Sequence, residues 1–191
     1  MYMVDEVIRS LDVAEDAVLI ARVGQGDMTA MKSLYEVHAA AVARFVRPRV
    51  RDLTEADDIV HDTMLSVWRG AAGFQGRCSV RSWILTLARN KTVDHIRKQA
   101  RVTLADADET QIDDAPDPEV VLGAAQDAAR VRACLDKLPE RQRAAIHLAF
   151  YEDMTCAEVG IVENVPEGTV KSRIFHAKKN LMRCLSRAVL K

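Results

Sequence analysis

The chain has 191 residues, of which 49% are hydrophobic, 5% aromatic and 29% charged, a composition typical of a helical globular protein. Its length allows one domain or two small ones. No apolar run reaches the length of a membrane span, and the acidic N-terminal stretch lacks the pattern of a signal peptide. We therefore expect a cytoplasmic protein with no direct insertion into a membrane.

The formal net charge of −1 would argue against nucleic-acid binding, but the charges are segregated along the chain. Residues 69–101 carry eight Lys and Arg side chains against the single acid Asp94. Residues 102–129 carry only acidic charges, and every charge from residue 168 to the end is basic. Two basic blocks separated by an acidic one predict two contacts with a polyanion.

The first strongly periodic helix follows Asp27, a candidate N-cap residue, and continues until Pro48 stops it. His38 lies on the apolar stripe of this helix. A histidine in that position is more often a residue at the edge of the core than a ligand, and we interpret it so.

A second helix begins at Thr54 and closes at Gly70, with an apolar arc on one side. Asp57, Asp58 and Asp62 lie near its positive N-terminal end and could suggest a metal site. Oxygen ligands for a metal come more often from a loop or from several elements. We therefore prefer a solvated or partner-facing acidic surface, and we expect neither a metal nor another cofactor.

A third helix is predicted from Ser79 to about Arg101. Its buried face is formed by Ile84, Leu85, Ala88, Thr92 and Ile96, and its opposite face by Asn90, Asp94, Arg97 and Arg101. The polar face offers cations for phosphates and an amide for a base edge, which suits nucleic acid; the alternative is a solvated face. Trp83 could stack on a base, but packing into the core is the favoured interpretation.

Residues 102–119 are acidic, poor in large apolar side chains and interrupted by Pro116 and Pro118. This composition predicts a flexible linker with little order of its own. We therefore predict an all-α fold of two small helical domains, residues 1–101 and 120–191, joined by this linker.

The second domain ends in a pattern typical of a helix-turn-helix. Thr155 and Glu158 form a capping box for a short helix, Val165 and Pro166 mark a turn, and a basic amphipathic helix follows. The second helix of such a motif enters the major groove of DNA. The alternative is a surface helix whose charged face only meets water.

The cysteines are widely separated and include no CxxC pair or Cys/His cluster; they are Cys78, Cys134, Cys156 and Cys184. A metal site and a disulfide framework are both weakly indicated. We predict neutral, free thiols.

Four segments, in this order, resemble the extracytoplasmic-function sigma factors, the two-domain specificity subunits of bacterial RNA polymerase. The segments are ADDIVHDTMLSVW, FQGRCSVRSWILTLARNKTVDHIRK, LPERQRAAIHL and PEGTVKSRIFHAKKNL. The resemblance implies an alternative sigma factor, not an enzyme, that binds core RNA polymerase and directs promoter-specific transcription initiation in a stress or extracytoplasmic response. It also implies an anti-sigma factor, often membrane-anchored, that holds the protein inactive.

The resemblance also assigns site residues by their position in the motifs. Docking on the β′ clamp helices of polymerase is implied for Asp57, Asp58, Val60, His61, Asp62 and Met64, with a further polymerase contact at the β flap. Minus-ten recognition and melting are implied for Phe74, Arg77, Asn90, Asp94, Arg97 and Lys98. Minus-thirty-five recognition is implied for Lys171, Ser172, Arg173, Phe175, His176 and Lys179. The acidic linker resembles the connector that runs toward the polymerase active centre.

Several positions depart from the usual family pattern. His61 stands where the family usually has Gln. Gly160 replaces a usual Ala and lowers helix propensity, and Glu163 occupies a usually buried position. Asn164 can adopt the left-handed turn in place of Gly. These departures bear on the packing of the first helix of the helix-turn-helix more than on the recognition helix.

Two other functions stay open on the sequence. A helix-turn-helix regulator acting without polymerase would explain the C-terminal half, but it leaves the acidic helix and the Asn90/Arg97 face without a purpose. A nucleic-acid hydrolase using Asp57, Asp58 and Asp62 would need a second ligand cluster or a phosphate loop, which the sequence lacks.

Overall fold

The computed structural model describes the backbone of residues 2–105 and 124–189, and the side chains of residues 13–101 and 128–186. Every regular element within these ranges is helical, which confirms the all-α prediction. The chain forms two compact units, Met1–Val102 with Ile161–Asn164, and Thr103–Gly160 with Val165–Lys191. Most of the predicted linker, residues 106–119, lies outside the described residues.

The first unit contains four long helices and two short 3-10 turns. The helices are α1 (Tyr2–Val23), α2 (Met28–Val46), α3 (Leu53–Gly70) and α4 (Val80–Ala105), with 3-10 turns at Arg47–Arg49 and Ala71–Gly73. Helix α2 packs against both α1 and α3. Helix α4 continues four residues beyond the predicted end at Arg101.

Two aspartates fix where α2 and α3 begin. Asp27 accepts hydrogen bonds from the backbone N–H groups of Thr29 and Ala30, as its sequence context predicts, and Asp52 does the same for Thr54 and Glu55. These backbone donors stabilise the ionised carboxylates and lower the pKa of both Asp27 and Asp52 below the ordinary value.

The predicted apolar rows are largely buried in the first unit, with two exposed exceptions, Tyr35 of α2 (42% exposed) and Ile96 of α4. Leu34 and Phe45 of α2 and Ile84 of α4 are completely buried. His38 is only 4% exposed and its Nε2 lies 2.9 Å from Asp16 Oδ1 on α1, which confirms its place in the core. The prediction for Ile96 is wrong: this side chain is 45% exposed, because the buried row of α4 ends at Thr92.

The second unit contains α5 (Ala124–Asp136), α6 (Glu140–Ile146), most of α7 (Cys156–Glu163) and α8 (Glu167–Val189), with a π-helical turn at His147–Tyr151 after α6. Both α5 and α6 pack against α8. Leu138, Ile146 and Ala177 form a buried cluster covered by Leu135, Ile174 and Leu181.

A disulfide joins α5 to α8, which corrects the prediction of four free thiols. Cys134 and Cys184 are bonded with a Cα–Cα distance of 5.8 Å, although 50 residues separate them in sequence. Cys78 and Cys156 form no disulfide, as predicted. The spacing of the cysteines in the sequence does not predict this bond, because the bond depends on which faces of α5 and α8 pack together.

The helix-turn-helix is regular despite its unusual sequence. The capping box is confirmed, since the Thr155 backbone N–H donates to Glu158 Oε2 at 2.9 Å and the Glu158 N–H donates to Thr155 Oγ1 at 3.2 Å. Asn164 adopts the predicted left-handed conformation with φ of 52°. A Cβ on Gly160 would lie 2.8 Å from the carbonyl oxygen of Val165, so glycine is what allows the turn to close.

Candidate polymerase and nucleic-acid interfaces

The exposed side of α3 is acidic and polar. Asp57, Asp58, His61 and Asp62 are exposed, whereas Ala56, Ile59, Thr63 and Val67 are buried on the opposite side. Asp57 is paired with Arg47 Nη2 at 3.0 Å, and both side chains remain more than half exposed. The exposed side of α3 therefore carries mostly carboxylates.

The structure buries two residues of the predicted docking set. Val60 and Met64 are only 7% and 2% exposed, so they pack in the core and reach a partner only through the helix that they hold in place. Both belong to the apolar arc visible in the sequence. Leu65, which is not in the predicted set, is 36% exposed and lies one turn beyond His61.

The three aspartates of α3 form no metal centre. Among the described residues, no three His, Cys, Asp or Glu side chains are grouped closely enough to hold an ion.

An aromatic pair lies at the start of the predicted minus-ten surface. The rings of Phe74 and Trp83 are 5.0 Å apart, and a Cβ on Gly70 would lie 3.2 Å from the Trp83 ring. Both aromatic side chains are half-buried, and Arg77 in the same loop is exposed. Trp83 thus packs against the end of α3, in accord with the interpretation favoured from the sequence.

The polar row of α4 is exposed along two turns. Asn90, Asp94, Arg97 and Lys98 are all exposed, while Ala88 and Thr92 on the other side are buried. Arg97 Nη1 lies 3.9 Å from Asp94, and Arg89 donates a hydrogen bond to Asn90 Oδ1 at 3.2 Å. The structure therefore brings the four predicted residues together in one accessible strip.

A polar cluster missed by the sequence analysis joins α3 to α4. Glu55 accepts a hydrogen bond from Gln99 Nε2 at 2.8 Å, and His95 Nε2 lies 3.3 Å from the same carboxylate. Gln99 and His95 follow the end of the buried row of α4. Their contact with the first turn of α3 depends on tertiary packing, so no pattern in the sequence indicates it.

The exposed side of α8 is basic at its N-terminal half. Five of the six predicted residues are exposed, and Arg173 is half-buried; the exposed ones are Lys171, Ser172, Phe175, His176 and Lys179. Phe175 and His176 are in edge-on contact, with ring centroids 5.5 Å apart. The buried row opposite them contains Val170 and Ala177. This arrangement matches a recognition helix with cations, a hydroxyl and rings on one side.

One contact on α8 links a predicted residue to an unpredicted one. Lys171 Nζ lies 2.7 Å from Glu167 Oε1, one helical turn earlier. The hydrogen bond from Lys171 to Glu167 raises the pKa of the Lys171 ammonium above its usual value.

The two units match two family models. Sigma-70 region 2 matches residues 34–102, and Sigma-70 region 4 matches residues 128–181. A curated relative, the ECF RNA polymerase sigma factor RpoE of Cereibacter sphaeroides, is 34% identical over 161 residues, or 84% of this chain and 88% of the relative.

Two solved structures share the fold. CnrH, solved in complex with the cytosolic domain of CnrY, aligns with a TM-score of 0.67 and 25% identity over 91% of this chain and 98% of CnrH. The sigma factor RpoE of Bartonella quintana was solved with the anti-sigma factor NepR. It aligns with a TM-score of 0.65 and 22% identity over 81% of this chain and 96% of the RpoE chain. Among the described helices, none has both the length and the apolar content to cross a membrane.

Proposed function

The chain belongs to the extracytoplasmic-function RNA polymerase sigma factors, and on that premise we propose that its two units divide the recognition of a promoter between them. As a sigma factor it is a transcription initiation factor and not an enzyme. In this proposal residues 1–101 form the domain that docks on polymerase and reads the minus-ten element. Residues 120–191 form the domain that reads the minus-thirty-five element, and residues 102–119 link the two domains.

The observation that carries the proposal is the accessible strip on α4. Asn90, Arg97 and Lys98 offer an amide and two cations on a helix whose opposite row is buried, so the strip is free to contact nucleic acid. Melting would then be driven by binding of the unstacked non-template strand, with Phe74 and Arg77 in the loop that receives a flipped base.

The exposed side of α8 supplies the duplex contact. Lys171, Ser172 and His176 fall within the first three turns of the helix, where a recognition helix meets base edges and phosphates. Phe175 and Lys179 extend the same exposed side, and half-buried Arg173 lies at its edge. The function as a whole is promoter-specific initiation, in a stress or extracytoplasmic response.

The acidic side of α3 is assigned to polymerase. Asp57, Asp58, His61 and Asp62 are exposed, and Leu65 adds an exposed apolar side chain one turn beyond His61. That combination suits the β′ clamp helices, and a separate contact with the β flap would place the second domain. A regulator acting without polymerase leaves this surface without a role.

An anti-sigma factor is the third proposed partner. The CnrH structure contains the cytosolic domain of CnrY. By analogy the anti-sigma factor of this chain is anchored in the membrane and holds the sigma factor on the cytoplasmic side until a signal releases it.

Transcription from purified components tests the proposal. Core polymerase is mixed with the full-length protein and a library of fragments from the source genome, and transcripts are mapped. We expect discrete start sites preceded by two shared sequence elements. Asp58→Ala should reduce core binding while leaving duplex binding unchanged, with Glu36→Gln on α2 as a control for loss of an exposed carboxylate. An absence of promoter-dependent transcripts would contradict the proposal.

A further inference from the structure

The first turn of α8 carries an acceptor and a donor side by side. Glu167 is the first residue of the helix and Lys171 lies one turn later, with their charged atoms 2.7 Å apart. The side chains are 49% and 65% exposed, so the pair is presented outward rather than packed in the unit. Lys171 is among the residues already assigned to DNA, whereas Glu167 has no assigned role.

A carboxylate in this position changes what the lysine can contact. A lone lysine on a recognition helix binds phosphates through its charge and carries little sequence information. A phosphate approaching Lys171 would also approach the Glu167 carboxylate and be repelled by it. The pair is therefore poorly suited to the DNA backbone and better suited to a surface that alternates donor and acceptor.

The major-groove edge of a base pair is such a surface. Cytosine N4 donates and guanine O6 accepts, and the two atoms are about 2.9 Å apart because they are hydrogen bonded to each other. Guanine N7 adds a second acceptor next to O6, whereas thymine places a methyl group beside its O4. A carboxylate and an ammonium 2.7 Å apart complement the edge of a C·G pair better than that of an A·T pair.

Gly168, between the two, gives independent support for close approach to DNA. A Cβ on Gly168 would meet nothing within 4 Å in the protein, in contrast to Gly160, where it would clash with backbone. Glycine is a poorer helix former than alanine, so helix propensity does not favour it at this position. Packing within the described structure does not require it either, because the space around a Cβ would be open. Absence of a side chain next to Glu167 lets the end of the helix approach a groove floor closely.

We propose that Glu167 and Lys171 read one C·G base pair of the minus-thirty-five element together, with the Glu167 carboxylate accepting from cytosine N4 and the Lys171 ammonium donating to guanine O6 and N7. The inference rests on the proposed function, since it takes α8 as the helix that reads the duplex. It makes Glu167 a specificity-determining residue that directs Lys171 to a base and away from phosphate.

The first test is a promoter library with the minus-thirty-five region randomised, transcribed by holoenzyme containing the full-length protein. The wild-type protein should select C·G at one position, and Glu167→Gln should lose that preference by about 5- to 150-fold there alone, as removal of a specific base contact does. An amide can pair with adenine N6 and N7, so the preference should move toward A·T. Glu36→Gln, which removes the carboxylate of the exposed Lys32–Glu36 pair, is the matched control.

The outcomes separate this inference from the proposed function. If the wild-type holoenzyme transcribes no member of the library, the proposed function fails. If the wild-type holoenzyme transcribes but Glu167→Gln selects the same sequences, the reading of a C·G pair by Glu167 is overturned while the function stands. An equal change at every position would also overturn it, because it would indicate a general electrostatic effect.

The second test is the salt dependence of duplex binding by the same holoenzyme. Glu167→Ala should free Lys171 for a phosphate and make the slope of log K against log salt steeper by about 0.9, the contribution of one phosphate contact. Binding to duplexes without the element should strengthen at low salt. The added slope should vanish in Glu167→Ala/Lys171→Ala. An unchanged slope in the single variant would overturn the inference.

Discussion

The carbonyl oxygen of Val165 lies 2.8 Å from the position that a Cβ on Gly160 would occupy, so the turn of the helix-turn-helix passes directly over a glycine. The same contact is reinforced by the Val165 backbone N–H, which donates to the Gly160 carbonyl at 2.9 Å. A residue that looked like a weak point in the helix is therefore a requirement of the turn.

Gly160→Ala should destabilise the protein, because backbone cannot move aside as a flexible side chain can. The cost should be about 1–3 kcal/mol, typical of overpacking a tight contact. Gly168→Ala is the matched substitution in the same motif, with open space around the new Cβ, and it should leave the melting temperature equal or higher. Thermal unfolding of both variants checks this. Equal melting temperatures for the two would contradict the account of the turn.

Gly168→Ala should nevertheless weaken binding to a duplex that contains the minus-thirty-five element. The added methyl group lies on the exposed side of the first turn of α8 and would separate the helix from the groove. Titration of labelled duplex with holoenzyme measures the effect. Unchanged affinity in a stably folded variant would show that this end of α8 stays clear of the DNA.

Asp16→Ala should destabilise the first unit by about 1–3 kcal/mol, since it leaves His38 buried without the carboxylate 2.9 Å from its Nε2. Replacing both partners, as in Asp16→Ala/His38→Leu, should recover part of the loss, because an apolar pair needs no hydrogen bond. Denaturant unfolding of the three proteins provides the comparison. A double variant less stable than Asp16→Ala would contradict this reading of the pair.

The caps of α2 and α3 predict the behaviour of the protein in acid. The pKa values of Asp27 and Asp52 are lowered in the folded state, so their stabilising effect is complete above the ordinary carboxyl pKa of 3.8 and is lost as the pH falls through the lower folded value. Asp52→Asn keeps a capping oxygen but cannot titrate. Its melting temperature should therefore depend less on pH below about 4 than that of the wild type. Parallel pH profiles would contradict the prediction.

Reduction of the Cys134–Cys184 bond should destabilise the second unit. A bond that closes a loop of this length stabilises by about 2–4 kcal/mol. Dithiothreitol should lower the melting temperature of the wild type and leave that of Cys134→Ser/Cys184→Ser unchanged. Thiol titration of the unfolded, unreduced protein should find two free cysteines, and a count of four would contradict the bond.

The sequence predicted the features of the fold that depend on interactions between residues close together in the chain. The Asp27 cap and the Thr155–Glu158 box were predicted because both partners lie within three residues of each other. Ile96 was placed on the buried side by periodicity alone. It is exposed because the buried row of α4 ends near the first turn of α3, where Glu55 contacts Gln99 instead. The Cys134–Cys184 bond likewise depends on packing between distant segments, which spacing does not encode.

Footprinting of promoter complexes tests the central claim, the division of the promoter between α4 and α8, most directly. Holoenzyme with Asn90→Ala should protect the minus-thirty-five duplex as the wild type does, but its minus-ten thymines should lose reactivity to permanganate. Holoenzyme with Lys179→Ala should show weaker protection at minus-thirty-five and, once bound, normal permanganate reactivity. The reverse pattern, with Asn90→Ala affecting the duplex and Lys179→Ala affecting melting, would contradict the account.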